Sequence, residues 1–287
     1  MREEFVAVGD VELCYEVIGE PDRPTILLIM GLGLSMDWWR DDFCDALVDR
    51  GFRVVRFDNR DVGRSTHLGG RGMGAWGFLT RRARPVYTLG DMADDAAGLL
   101  AHLDAAAHVV GASLGAMVAQ EVAIRHPDRT LSLTSIMGRP GDRRTGKTHP
   151  RLVAEFLRRP GADPVEDLVA SFRRIGSAGR TPEDDEDVRV TARRAFARET
   201  GAGGDRQLAA CVGERDRTAD LGALTCPTLV IHGDRDRIIR PSGGRATAAA
   251  VPGAELLEVP GMGHDLARST WPAVLDGVER VVTRTRA

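Results

Sequence analysis

Short apolar runs alternate with longer amphipathic stretches through the first 137 residues of this chain. Thr25–Met30 and Phe52–Phe57 are apolar runs that predict buried strands, and Asp41–Asp49 between them has helical composition. A strand, a crossover helix and a second strand are the repeating unit of a parallel sheet. The pattern therefore predicts an α/β protein with a mostly parallel central sheet flanked by helices. Its further predicted strands are Phe5–Val8, Val11–Val17, His108–Val110, Leu131–Met137, Thr228–His232 and Leu256–Val259, and its further helices are Thr88–Leu103, Leu114–Arg125 and Trp271–Val282.

Residues 138–224 differ from the rest of the chain, because they contain helical patterns but no clear buried strand. Prolines and glycines separate these helical patterns. The patterns lie around Leu152–Leu157, Val165–Phe172, Asp185–Phe196 and Gln207–Val212. A helical segment between two strands of one sheet predicts an insertion into the α/β core. We therefore expect residues 1–137 and 225–287 to form one core domain, into which residues 138–224 are inserted.

The composition argues against several classes of protein. The chain has 287 residues and a formal net charge of −3, so we expect no general affinity for nucleic acid or for an anionic membrane. No apolar run is long enough to span a bilayer, and the acidic start Met1–Phe5 lacks the basic flank of a secretion signal. Four scattered cysteines indicate neither a disulfide framework nor a zinc site. We expect a cytoplasmic globular protein without a bound metal.

The pentapeptide Gly111–Gly115, Gly-Ala-Ser-Leu-Gly, fits the nucleophile-elbow pattern G-x-S-x-G. In that motif the serine sits on a sharp turn between a strand and a helix, which exposes its hydroxyl at the sheet edge. The glycines leave room for neighbouring backbone, and the positive end of the helix dipole faces the site. Val109 and Val110 supply the preceding strand, and Ala116–Ala123 supplies the following helix. Ser113 is therefore a candidate nucleophile.

A serine hydroxyl needs a base that removes its proton and a third group that orients the base. Two acids, Asp234 and Asp236, directly follow a predicted strand, and His264 follows the last strand in a glycine-rich loop. Parallel strands place both loops at the sheet edge that carries Ser113. The order serine, acid, histidine predicts His264 as the base and either acid as its partner. His232, at a strand end, is expected to pack beside the site.

These features resemble the α/β-hydrolase superfamily over nearly the full length of the chain. The resemblance rests on the elbow at Ser113, the segment His232–Asp236 and the ending Pro260–His264. The helical insertion matches the position of the cap in that superfamily. The segments that resemble the branch containing aclacinomycin methylesterase are Leu28–Gly33 and Asp58–Thr66.

The resemblance implies a role for each candidate residue. Its Gly-x-x-Asp pattern assigns the acid of the triad to Asp236, so that Asp234 becomes a loop residue. In the superfamily, an oxyanion hole is formed by the amide after the nucleophile and by an amide after the third strand, which here belong to Leu114 and Leu32. Many relatives begin the latter loop with His-Gly, whereas this chain has Met-Gly. Because the donor is a backbone amide, the difference leaves the oxyanion hole intact.

The main hypothesis is a carboxylic-ester hydrolase that uses Ser113, His264 and Asp236 and no cofactor. Its substrate is expected to be a small-molecule ester, bulky and apolar or polyketide-like, with a methyl ester favoured by the branch. The same residues also suit a lactonase, a thioesterase, a carbon–carbon hydrolase or a cofactor-free perhydrolase. A ligand-binding protein without turnover is the alternative from another class, although such a protein needs none of these residues. The sequence leaves the oligomeric state open.

The helical insertion follows a predicted strand, so we expect it to cover the sheet edge that carries Ser113. Its apolar residues should pack mainly with one another and still roof a roomy, apolar pocket. Its removal is expected to change selectivity and KM more than the reaction of Ser113 with a small phosphonate. We expect Asp58–Ser65 to form a structural turn beside the site and Thr66–Pro85 to form a long loop. Trp38 and Trp39 are expected to lie either in the pocket wall or in the core.

Overall fold

One eight-stranded sheet organises the fold in the computed structural model, which describes residues 3–70, 72–73, 85–149, 152 and 161–285. The strands are β1 (Glu4–Val8), β2 (Val11–Ile18), β3 (Thr25–Ile29), β4 (Arg53–Phe57), β5 (Ala107–Ala112), β6 (Thr130–Ile136), β7 (Thr228–Gly233) and β8 (Glu255–Val259). Their order across the sheet is β1-β2-β4-β3-β5-β6-β7-β8. The pairs β1–β2 and β2–β4 are antiparallel, and every other pair is parallel.

Nine α-helices lie in the same described part of the chain. They are α1 (Asp41–Val48), α2 (Leu89–His102), α3 (Leu114–Arg125), α4 (Pro164–Ile175), α5 (Pro182–Arg198), α6 (Gly204–Val212), α7 (Thr218–Leu221), α8 (Ser242–Ala250) and α9 (Trp271–Thr283). Helices α4 to α7 lie between β6 and β7, and no described residue of this insertion forms a strand. None of these described helices combines the length and the apolar composition that a bilayer crossing requires.

Alternate residues of β3 face opposite sides of the sheet, as the two-residue period of a strand requires. Ile26 and Leu28 pack in the core that α1 and α9 cover, whereas Leu27 and Ile29 pack in the core that α2 and α3 cover. All four side chains are fully buried. The continuous apolar run of β3 is therefore explained by helices on both faces of the sheet.

The predicted α/β fold with its mostly parallel sheet is confirmed. The predicted strands and helices that are described end within three residues of the observed boundaries. The sequence patterns do not predict α7, which has four residues, or α8, whose two glycines weaken its helical pattern. The helix predicted around Leu152–Leu157 lies outside the described residues except for Leu152, and so does most of the loop predicted for Thr66–Pro85.

The parallel strands bring four loops to one edge of the sheet. Since β3, β5, β7 and β8 run in the same direction, the loops that follow them meet at their carboxyl ends. These loops begin at Met30, Ser113, Asp234 and Pro260. The helical insertion leaves the sheet after β6, at the same edge. The fold therefore gathers all the predicted site residues before any side-chain contact is considered.

Ion pairs join the helical insertion to the core. Arg198 of α5 donates to the carboxylate of Asp58 at 2.9 Å and also pairs with Asp37 and Glu3. The side chains of Asp37 and Asp58 are almost completely buried, so Arg198 balances two carboxylates that water does not solvate. Unpaired charges in such positions are strongly unfavourable. This pairing therefore fixes the end of α5 against the core.

The charged turn of residues 58–65 supplies a second anchor. Asp61 in this turn, fully buried, pairs with Arg206 of α6 at 2.8 Å. The backbone amide of Gly63 donates to Glu199 at 3.1 Å, and the Gly63 carbonyl accepts from Thr200. The turn thus has a structural role, because its polar groups hold the last turn of α5 and the start of α6.

We expect Arg198→Met to lower the free energy of unfolding by about 3–5 kcal/mol, because it leaves the buried Asp58 without a counter-charge, whereas Asp37 keeps its ion pair with Arg194 at 2.7 Å. Arg189→Met on the same helix is the matched control, since Arg189 forms an ion pair with the half-exposed Glu166. That change should cost less than about 1 kcal/mol. Urea unfolding followed by circular dichroism measures both values. Equal effects of the two substitutions would contradict the anchoring role of Arg198.

Candidate active site

Ser113 occupies a sharp turn between β5 and α3. Its backbone has a φ of 58° and a ψ of −118°. Such a conformation costs a residue with a side chain about 1–3 kcal/mol. Two glycines make the turn possible: a Cβ at Gly115 would lie 2.1 Å from the Ile29 carbonyl oxygen, and one at Gly111 would lie 2.1 Å from the Gly115 oxygen. The tight turn therefore exposes Ser113 to a pocket at the sheet edge.

Three side chains from three loops form one chain of hydrogen bonds. The hydroxyl of Ser113 lies 2.8 Å from Nε2 of His264, to which it can donate. Nδ1 of His264 donates to Oδ2 of Asp236 at 2.7 Å. A hydroxyl, an imidazole and a carboxylate in this order can move the hydroxyl proton to the imidazole when the oxygen attacks a carbon atom. The structure thus brings together the serine, the histidine and one of the two candidate acids.

Asp236 is held in its charged form within the core. The amides of Ile238 and Ile239 donate to its Oδ1 at 2.9 and 3.0 Å. Burial by itself raises the pKa of Asp236, but the charge of His264 and hydrogen bonds from His232 and His264 outweigh burial and lower this pKa to about 2. A charged acceptor keeps the Nδ1 proton in place and leaves Nε2 of the imidazole to accept a proton.

The other two candidates, Asp234 and His232, have different surroundings. Asp234 is exposed, and its carboxylate accepts a hydrogen bond from the amide of Gly261 at 2.7 Å, which ties two loops together. His232 is fully buried, and its Nε2 donates to a backbone carbonyl at 2.7 Å while lying 3.4 Å from Oδ2 of Asp236. The structure therefore places Asp236, and not Asp234, beside His264.

The loop after β3 lies against the elbow. A Cβ at Gly31 would lie 3.4 Å from Cβ of Ser113, so the backbone that carries the Leu32 amide passes beside the serine. Leu114 is the first residue of α3, where the amides lack partners within the helix. Leu32 and Ser113 line the same pocket. These places suit two amides that hold a developing oxyanion.

Two residues that no sequence motif predicts as functional, Gln207 and Asn59, hold this loop. Gln207 of α6 is fully buried, accepts from the Gly33 amide at 2.8 Å and donates to the Arg60 carbonyl at 2.8 Å. Asn59 donates to the carbonyl of Met30 at 3.1 Å. No local pattern marks Gln207, because its partners lie 174 and 147 positions away along the chain.

A mainly apolar pocket of about 360 Å³ contains Ser113 and His264 in its wall. Core and insertion meet there: Trp38 stacks on Phe172 of α4, with ring centroids 5.0 Å apart. Trp39, by contrast, is buried in the core. Further apolar residues that line the pocket are Met30, Leu32, Leu34, Met137, Leu168, Ile175, Val188 and Leu266.

A second cavity of about 500 Å³ adjoins this pocket. The residues that line both are Leu34, Trp38, Leu168 and Ser171. The second cavity is more polar, since Asp167, Arg174 and Glu199 also line it. Together the two cavities offer more room than a short acyl chain needs.

The family model described as an alpha/beta hydrolase fold matches residues 24–267. The chain therefore belongs to the α/β-hydrolase family. It is 31% identical to rhodomycin D methylesterase of Streptomyces sp. (strain C5) and 30% identical to rhodomycin D methylesterase of Streptomyces peucetius, each match covering 93% of both chains. These matches confirm the resemblance to the methylesterase branch. Among solved structures, a thermophilic esterase from Thermogutta terrifontis is 26% identical, with a TM-score of 0.72 over 100% of both chains.

The strained turn predicts an unusual order of stability for two variants of Ser113. At ordinary positions glycine is less stable than alanine by roughly 0.5–1 kcal/mol. At a positive φ this preference reverses, so we expect Ser113→Gly to be more stable than Ser113→Ala by about 1 kcal/mol. Both variants lose the hydrogen bond to His264, so the comparison isolates the Cβ. Thermal and urea unfolding measure the difference, and a more stable alanine variant would show that the turn carries no strain.

The pKa of Asp236 predicts a dependence of stability on acid. Because this pKa is lowered from 3.8 to about 2 in the folded protein, the unfolded chain binds the proton more tightly. The charged form of Asp236 therefore stabilises the folded protein by about 2 kcal/mol. This contribution is fully present above about pH 5 and is lost as the pH falls toward about 2. The stability difference between the parent and Asp236→Asn should shrink by this amount across that range. A stability difference that does not change between about pH 5 and about pH 2 would mean that folding does not lower the pKa of Asp236.

Proposed function

We propose that the protein is a carboxylic-ester hydrolase in which Ser113 is the nucleophile, His264 is the general base and Asp236 orients His264. The observation that carries this proposal is the chain of hydrogen bonds, 2.8 and 2.7 Å long, that ends in a mainly apolar pocket. The names of the two rhodomycin D methylesterases to which the chain is similar support cleavage of an ester bond.

The proposed reaction has two stages. Ser113 Oγ attacks the ester carbonyl carbon while His264 takes the hydroxyl proton, and the amides of Leu32 and Leu114 hold the oxyanion. The intermediate expels the alcohol, which receives the proton from His264. His264 then removes a proton from water, which attacks the acyl-serine and releases the acid with restoration of Ser113. These stages require no cofactor.

We infer that the substrate is a bulky, largely apolar or polyketide-like ester, with a methyl ester favoured by the names of the relatives. The pocket of about 360 Å³ and the adjoining cavity of about 500 Å³ support a substrate larger than an acetate ester. The side chains of Ser171 and Thr191 line the pocket among apolar residues and offer hydroxyls to oxygen atoms of such a substrate.

Residues 138–224 are proposed to act as a cap on the core of residues 1–137 and 225–287. Helix α4 supports this assignment, because its Leu168 and Phe172 line the pocket opposite the core. A cap in this place excludes bulk water from the reacting carbonyl. The cytoplasmic location, the restriction to a small-molecule partner without nucleic acid or membrane, and the independence from cofactors stay predictions.

A substrate panel tests the proposed function. We expect a bulky aromatic methyl ester to be hydrolysed with a higher kcat/KM than methyl acetate, because both release methanol and only the larger acyl group fills the pocket. Ser113→Ala should lower turnover by roughly 10⁵- to 10⁶-fold while the protein stays folded. Lactones, acyl thioesters and β-diketones in the same panel distinguish ester cleavage from the related reactions.

Labelling by a small alkyl fluorophosphonate provides the control, since mass spectrometry should locate the adduct on Ser113. Near-native turnover of Ser113→Ala would refute the mechanism. A parent protein that neither turns over any ester nor reacts with the fluorophosphonate would instead support the ligand-binding alternative.

A further inference from the structure

The loop that carries His264 is bonded to the helical insertion through its backbone. The amide of His264 donates to the carbonyl of Ile175, the last residue of α4, at 2.8 Å. The amide of Gly263 donates to Oγ of Ser177 at 3.0 Å. In the opposite direction, the amide of Ala178 donates to the carbonyl of Gly261 at 2.7 Å. Three successive hydrogen bonds thus join this loop to one short segment of the insertion.

A buried carboxylate next to the histidine strengthens this junction. Asp265 accepts hydrogen bonds from the amide and the hydroxyl of Ser177 at 2.9 and 2.6 Å, and from Arg180 at 2.7 Å. The Ser177 hydroxyl therefore donates to Asp265 while it accepts from Gly263. Asp265 and Ser177 are both buried, so few water molecules compete for these bonds.

The backbone of the loop that carries His264 also contacts the backbone that follows α4 without intervening side chains. A Cβ at Gly263 would lie 2.2 Å from the carbonyl carbon of Gly176, and one at Gly176 would lie 2.5 Å from the Asp265 carboxylate. Such close approach requires glycine on both sides. The segment of residues 175–180, named the clasp here, is therefore seated directly on the loop that carries His264.

We propose that the clasp positions His264 for the proposed reaction, and that Ser177 and Asp265 are positioning residues. This inference rests on the proposed function, because it assigns the clasp to the base of that mechanism. The imidazole end of His264 is held by Asp236, whose own partners Ile238 and Ile239 belong to the core. The backbone end is held by the clasp. Both ends must be held for Nε2 to stay 2.8 Å from the Ser113 hydroxyl.

Because of the clasp, we expect removal of the insertion to affect the reactivity of Ser113 and not only the binding of substrate. Phe172 and Ile175 of α4 line the pocket, and Ile175 also accepts the amide of His264. Contacts between substrate and α4 are thereby linked to the position of the base. Removal of the whole insertion, which contains the clasp, should therefore also slow the reaction of Ser113 with a small phosphonate, whereas the sequence predicts an effect mainly on selectivity and KM.

Two hydroxyl deletions test the proposal. Ser177→Ala removes the bond to Gly263 without changing any charge. Thr200→Ala is the matched control, because Thr200 Oγ1 donates to the carbonyl of Gly63 at 3.0 Å across another contact between insertion and core. The measurements are the rate of labelling by a small alkyl fluorophosphonate, kcat and KM for p-nitrophenyl acetate, and the melting temperature.

We expect Ser177→Ala to lower the labelling rate and kcat by about ten- to a hundredfold, with KM changed by less than about twofold, because a misplaced base slows the chemical step. Thr200→Ala should leave labelling and kcat within about twofold of the parent. Asp265→Ala should resemble Ser177→Ala, and Asp265→Asn should recover part of the rate, since its amide oxygen can still accept from Ser177.

Parental labelling rates in Ser177→Ala and Asp265→Ala, measured well below their melting temperatures, would overturn the proposal even if both variants are less stable. If Ser177→Ala does not fold, Asp265→Ala alone decides the outcome. A parent protein that does not react with the fluorophosphonate would refute the proposed function itself, so the two failures are distinguishable.

Discussion

The tight turn between β5 and α3 is the constraint around which the site is arranged. Backbone meets backbone here, because Gly115 packs against the Ile29 carbonyl at the end of β3 and leaves no space for a side chain. The same contact brings the loop after β3 beside Ser113, which holds a positive φ of 58°. Strain of this kind persists only where the surrounding packing enforces it. Helices α2 and α3, which pack against the central sheet, provide that packing. The exposed hydroxyl is thus a consequence of how closely β3, β5 and α3 approach one another.

Buried charge determines how the insertion sits on the core. Arg198 meets Asp37 and Asp58 where water is excluded, and Arg206 meets Asp61 in the same turn. Ion pairs of this kind contribute little net stability compared with apolar packing, but a misplaced partner is strongly penalised. They therefore favour one seating of α5 and α6 over alternatives. The charged turn after β4 serves this purpose, which explains why so polar a segment is buried beside an apolar pocket.

The insertion also contributes to the site itself. Gln207 of α6 holds the loop that carries the Leu32 amide, and the clasp of residues 175–180 holds the loop that carries His264. Core residues, by contrast, hold Asp236 through the amides that follow it. The pocket is therefore assembled by two parts of the chain at once. Substitutions in the insertion can therefore alter the positions of Ser113's neighbour His264 and of the Leu32 loop without lying in the pocket wall.

The sequence by itself determined the fold class, the order of the elements and the sheet edge where Ser113 and His264 meet. These follow from local signals: apolar periodicity, glycines at tight turns and the direction of parallel strands. From local patterns alone, Asp234 and Asp236 were equal candidates for the acid, and only the family resemblance favoured Asp236. The sequence also did not show which of Trp38 and Trp39 lines the pocket and which lies in the core. Only the tertiary structure placed Trp38 in the pocket and Trp39 in the core. It alone paired Ser177 with Asp265 and Gln207 with Gly33, since hydrogen bonds between residues 88 and 174 positions apart leave no periodic pattern in a chain.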